Sequence, residues 1–249
     1  MFINRKEIQL LGGLGLSLLL AACGPKNDIQ SNQIPATGAR VKFVHAVVDG
    51  PAVNVFANDT KLNGTTVTYG TTFPVSEYSA LNPGQTTLKV STVASGTVAE
   101  AAVLTAPVAL EADKYYSIVA GGTATAPIGF ILDDDQTVLN PKKNYIRVLN
   151  LLSSGQSVDF AIASGTPATV ATPVTNLAYK SVSAYVEVDP NAATAPYSLQ
   201  IRSTGTTTAI GTALSFNTLN QGRKYTLVVR GAVGRTGTAV PTLFTYTVK

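Results

Sequence analysis

The chain repeats itself, and that fixes the size of what it can fold into. Arg40-Val41-Lys42-Phe43-Val44-His45-Ala46 aligns with Tyr145-Ile146-Arg147-Val148-Leu149-Asn150-Leu151, and Val53-Asn54-Val55-Phe56 with Val158-Asp159-Phe160-Ala161, both at an offset of 105 residues. Leu110 to Val119 aligns with Leu219 to Val228 at an offset of 109, the drift being extra loop residues in the second copy. Leu88-Lys89-Val90 and Leu199-Gln200-Ile201 are further counterparts. A period of this length is one small domain copied, so the fold must be complete in about 100 residues. The copies are placed at residues 40–134 and 145–249, joined by a linker at 135–144.

Within each copy the apolar pattern has a period of two. Val41, Phe43 and His45 share one face of a strand, and Lys42 and Val44 the other. Runs rich in Val, Thr, Tyr and Ile are broken about every 8–12 residues by turn signals. Examples are Asn58-Asp59, Asn63-Gly64, Asn82-Pro83-Gly84 and Ser95-Gly96. About seven short strands per copy predict an all-β protein: two tandem Ig-like or Greek-key β-sandwiches, in which two sheets each bury one apolar face. The Leu-x-x-Asp/Gly-x-x-Tyr segments ending at Tyr116 and Tyr225 resemble a tyrosine corner, where the hydroxyl bonds back to the preceding turn.

The ordered series of the opening strand with His45-Ala46, Val53-Asn54-Val55, Tyr69-Gly70-Thr71, Leu88-Lys89-Val90 and Tyr116-Ser117-Ile118-Val119 resembles the bacterial family called domain of unknown function 4397. The second copy departs from it, with Asn150 for the histidine and Tyr179-Lys180-Ser181 for Tyr-Gly-Thr. The resemblance implies exported or surface-anchored modules, often in tandem, and supplies no established reaction.

The N-terminus reads as an export leader, residues 1–22. Arg5 and Lys6 precede an uncharged, leucine-dense stretch from Ile8 to Ala22. As a helix it would be roughly 22 Å long at about 1.5 Å per residue, too short for a bilayer core of about 30 Å. It therefore fits a signal-peptide core better than a permanent span. It ends in Leu20-Ala21-Ala22-Cys23, which resembles the bacterial lipobox. Small residues admit the signal peptidase, and a thiol forms the thioether to diacylglycerol, so Cys23 is the expected lipidation site. Cys23 is also the single cysteine, so the domains must stand without disulfides. Residues 23–39 read as a lipid-anchored flexible tether, and Gly24 in place of Asp favours the outer membrane. Charged residues are only 13% of the chain. Its formal charge of +4 falls to +3 once the leader, with Arg5, Lys6 and Glu7, is removed. The scattered basic residues form no patch of the kind nucleic acid requires.

Little in the sequence points to chemistry. His45 is the one histidine; Asp49 lies close, but no nucleophile accompanies them. Its counterpart Asn150 cannot act as a base, so both read as inward polar groups bonding to backbone. No zinc set exists. Asp133-Asp134-Asp135 is a weak calcium candidate lacking calcium-loop spacing, and reads more naturally as a solvated linker turn. Gly231-Ala232-Val233-Gly234-Arg235-Thr236-Gly237 lacks the ending of a phosphate loop and reads as a hairpin turn. Asn58-Asp59-Thr60 and Asn63-Gly64-Thr65 match the glycosylation sequon by chance. The expectation is a non-catalytic envelope lipoprotein with no cofactor, a binding or adhesion module for a surface polysaccharide or protein. The alternative is a structural envelope subunit acting through self-association or strand-edge pairing; a hydrolase is a distant third.

Overall fold

The computed structural model describes residues 37–164, 169–189, 197–216 and 221–249. The leader, the lipobox with Cys23 and the tether as far as residue 36 lie outside the described residues.

The first half contributes β1 (Ala39–His45), β2 (Val53–Ala57), β3 (Thr60–Lys61), β4 (Thr72–Phe73), β5 (Ser79–Leu81), β6 (Gly84–Thr92), β7 (Ala102–Leu110), β8 (Tyr115–Thr123) and β9 (Ala126–Asp133). The second contributes β10 (Asn144–Asn150), β11 (Val158–Ser164), β12 (Thr169–Leu177), β13 (Val186–Val188), β14 (Tyr197–Ser203), β15 (Leu214–Phe216), β16 (Lys224–Arg230) and β17 (Thr242–Thr247). No α-helix occurs among the described residues. The turn chemistry acts where it was read: Asn58 and Asp59 take left-handed backbone, φ 47° and 63°, and make the two-residue turn from β2 to β3.

Each half is two sheets. In the first, the strand order is β4-β1-β8-β9, with β5 also on β1, facing β3-β2-β6-β7. In the second it is β13-β10-β16-β17 facing β12-β11-β14-β15. The registers agree position for position. Val41 lies opposite Tyr116 as Ile146 lies opposite Tyr225, and Ala57 opposite Leu88 as Ile162 opposite Leu199. One feature departs from a purely antiparallel sandwich. β1 runs parallel to β8, and β10 to β16. No crossover helix is needed, because the chain visits the opposite sheet between the two strands.

Apolar residues from both sheets fill each sandwich. Val41, Phe43, Val55, Leu88 and Val90 do so in the first, and Ile146, Val148, Phe160, Leu199 and Leu227 in the second. A further cluster joins the halves: Val44, Val119 and Leu132 pack on Leu149, Val228 and Tyr246. The β1 sheet and the β10 sheet thus meet through their outer faces, and the described residues form one compact unit. This is why every residue of β10, and all of β1 but Arg40, is buried. One face of each strand looks into its own sandwich and the other into its neighbour.

Candidate functional site: a polar clamp and an open slot

The face of β1 that carries Val44 also carries Lys42, and the matching face of β10 carries Arg147. Both are buried, at 1% and 5% exposure. Their partners correspond. Lys42 Nζ lies 4.8 Å from the centre of the Tyr78 ring, and the Arg147 guanidinium 5.0 Å from that of Tyr185. Each cation reaches into the other half: Lys42 donates to Thr247 O at 3.2 Å and Arg147 to Asp133 O at 2.8 Å. Thr247 and Asp133 occupy the same register position, opposite Tyr225 and Tyr116. The two halves therefore meet about a pseudo-two-fold axis, the geometry of an isologous dimer made within one chain.

Asp134 breaks the symmetry. It is 1% exposed and accepts from Arg147, from Tyr78 OH at 2.6 Å and from Ser117 Oγ at 2.6 Å. Burial lowers the Lys42 pKa, opposed by the Asp134 charge. Burial, then Asp134, drives the Tyr78 hydroxyl well above its usual range, and burial pushes Tyr246 up to about 12. The expectation of a solvated linker turn is corrected at Asp134, while Asp133 and Asp135 stay exposed. Asp134 is buried on Arg147, while Asp135 turns to Lys224 Nζ at 2.7 Å and has its pKa lowered to about 2 by that bond. No group of three metal-ligating side chains occurs among the described residues. Lys224, 3% exposed, also donates to Thr137 O at 2.9 Å, so the linker is fastened down.

His45 lies at the end of β1 and is buried. The Val47 N–H donates to its Nδ1 at 3.3 Å, which puts the ring proton on Nε2, directed at Pro51 O at 2.9 Å. Asn150 repeats the pattern: Leu152 N–H donates to Oδ1 at 3.1 Å, and Nδ2 donates to Gln156 O at 2.9 Å. Burial lowers the His45 pKa, against the pull of the Pro51 bond. Asp49 does not approach the ring as a catalytic partner; its carboxylate pairs with Arg235 of the other half. Above His45, the Arg230 guanidinium lies 4.2 Å from the Tyr69 ring centre and so close to Gly70 that a Cβ there would sit 2.7 Å from Nη2.

Other motifs resolve into structure. Asn63 is 2% exposed; its Oδ1 accepts from Val55 N at 2.7 Å and its Nδ2 donates to Thr65 O at 2.8 Å, so its amide is not presented to solvent. Tyr116 OH accepts from Glu111 N at 3.2 Å, the bond expected of the corner. The turn before Tyr225 lies partly outside the described residues. The glycine-rich segment at 231–237 connects β16 to its antiparallel neighbour β17, as a hairpin loop would.

The first sandwich is not fully closed. Between β7 and β9, the outermost strands of its two sheets, a cavity of about 250 Å³ remains. Leu88, Leu104, Val108, Ile118 and Phe130 line it, with Gly129 at its wall. The second sandwich has Leu243 in place of that glycine: Gly129 lies opposite Ala120 as Leu243 lies opposite Val229. Leu243 is buried in the core. Lys42, Tyr78, Arg147, Tyr185 and Gly129 were all missed by sequence reasoning. The available signal was a cation at the matching mid-strand position of β1 and β10, flanked on both sides by apolar residues.

This is a pair of face-packed β-sandwiches whose histidine and aspartates serve the fold. Residues 39–161 match one copy of the family model described as "Domain of unknown function (DUF4397)". The match runs through the first sandwich and on into β10 and β11. Among solved structures, the chain is similar to the crystal structure of a "putative cell adhesion protein" from Bacteroides uniformis. That likeness has 11% identity and a TM-score of 0.22, and covers 84% of this chain and 98% of that one. At such a score the description stays with that protein. No curated protein matches the chain.

Proposed function

We propose that the protein is a non-catalytic binding module of the cell envelope, tethered to the outer membrane by lipid on Cys23, with residues 145–249 as a second copy of the DUF4397 domain. The observation that carries this reading is the division of labour among the side chains. His45, Asp134 and Asp135 are committed to bonds that hold the fold, whereas the first sandwich leaves an apolar slot open between two strand edges. An open concave apolar site is what binding modules offer. The ligand is a protein or polymer of the envelope or of a surface that the cell meets. The same free edges favour a second reading, a structural subunit that joins copies of itself through strand pairing.

The test uses the full-length tagged protein in its own cells. Labelled fatty acid is incorporated into the wild type and not into Cys23→Ala, and protease added to whole cells digests the domains. Labelling that survives Cys23→Ala contradicts the anchor. Protection until lysis contradicts adhesion and places the partner in the periplasm.

A further inference from the structure

The slot of the first sandwich has a counterpart that shows what belongs in it. In the second sandwich the protein's own chain lies at the corresponding place. Leu243 enters from β17, and the backbone at Thr212 forms a parallel bridge to Thr242. Gly211 packs so tightly there that a Cβ would lie 1.9 Å from Pro241 O. In the first sandwich Gly129 stands where Leu243 would be, and no such bridge joins the β6–β7 connection to β9 among the described residues. What is missing, relative to the second copy, is one branched aliphatic side chain and one short stretch of extended backbone. No lining residue is charged, and Thr105 supplies the single side-chain hydroxyl. The slot is also continuous with the interface between the sandwiches, because Val119 and Phe130 border both.

Resting on the binding-module reading, we infer that this slot is a peptide site. An extended, uncharged segment of a partner protein lies along the free edges of β7 and β9 and inserts a side chain of leucine or isoleucine size over Gly129. An acyl chain would match the lining but would leave the edge N–H and C=O groups without partners, which a peptide backbone supplies.

The probes are fluorescein-labelled nonapeptides of alternating Ser and Thr with Leu, Gly or Asp at the centre, titrated into the full-length protein in detergent. The Leu peptide binds saturably, the Gly and Asp peptides at least tenfold more weakly, and amide exchange slows in β7 and β9. Gly129→Leu, which copies the second sandwich, abolishes binding. Its Cβ meets nothing nearer than Leu104 Cδ1 at 3.8 Å, so the fold tolerates it. Ala106→Leu closes the slot from the opposite wall and has the same effect, should the first variant fold poorly. Equal binding of the three peptides, or Leu-peptide binding that survives in both filled variants, overturns the inference. Saturable laurate binding that displaces the Leu peptide assigns an acyl ligand and overturns it too. Cell-surface exposure and lipidation are read separately, so failure here leaves the envelope reading standing.

Discussion

At the scale of single residues, the two sandwiches serve as each other's controls. His45 and Asn150 make the same two bonds from matching strands, so His45→Asn is expected to fold with little loss. His45→Ala leaves the Val47 N–H and Pro51 O unsatisfied and costs about 1–3 kcal/mol in urea denaturation. The pH dependence follows from the lowered pKa. Below about 6.5 the unfolded chain binds a proton that the folded imidazole refuses, so stability falls as pH drops from there toward the folded pKa. Matched urea titrations of wild type and His45→Asn between pH 5 and 8 should show this slope in the wild type alone. An identical slope in both would mean that His45 is not the group responsible. Gly70 and Lys180 form another natural pair, both left-handed, φ 79° and 65°. Glycine suits that conformation and lysine is strained in it, so Lys180→Gly is expected to raise stability by up to about 1 kcal/mol in thermal denaturation.

At the scale of elements, the alternation that made the strands legible also concealed the site. Val41, Phe43 and His45 do face the sandwich core, as the period of two required. The opposite face, with Lys42 and Val44, reads locally as the solvent side of a half-buried strand. It is buried because an equivalent sheet covers it, and a pattern within one strand does not record what lies above it. Lys42 and Arg147 at matching positions were the visible trace, legible only when the copies are laid over each other. The slot was less legible still. Gly129 looks like any strand glycine until β9 is paired to β8 and β17 to β16, which sets it against Leu243. The aspartate run misled for a related reason. Three adjacent carboxylates look solvated, yet the strand pleat sends Asp134 inward to a cation from the other copy. Removing that partner strands a buried guanidinium, so Asp134→Ala should cost about 3–5 kcal/mol. Asp135→Ala, at an exposed carboxylate, should cost less than about 1 kcal/mol. Chemical denaturation of the two variants side by side separates these outcomes.

At the scale of the whole molecule, two small sandwiches behave as one body. Each has its own core, and the faces joining them share an apolar cluster pinned by the buried Lys42, Arg147 and Asp134. Fusing two such halves in one chain makes their association intramolecular, with no dependence on concentration. The central claim is that the clamp makes the halves a single cooperative unit, and calorimetry tests it most directly. Scanning the full-length protein should give one transition whose calorimetric and van't Hoff enthalpies agree, and Asp134→Ala should split it into two. Two independent transitions in the wild type, each with about half the enthalpy, would contradict the account.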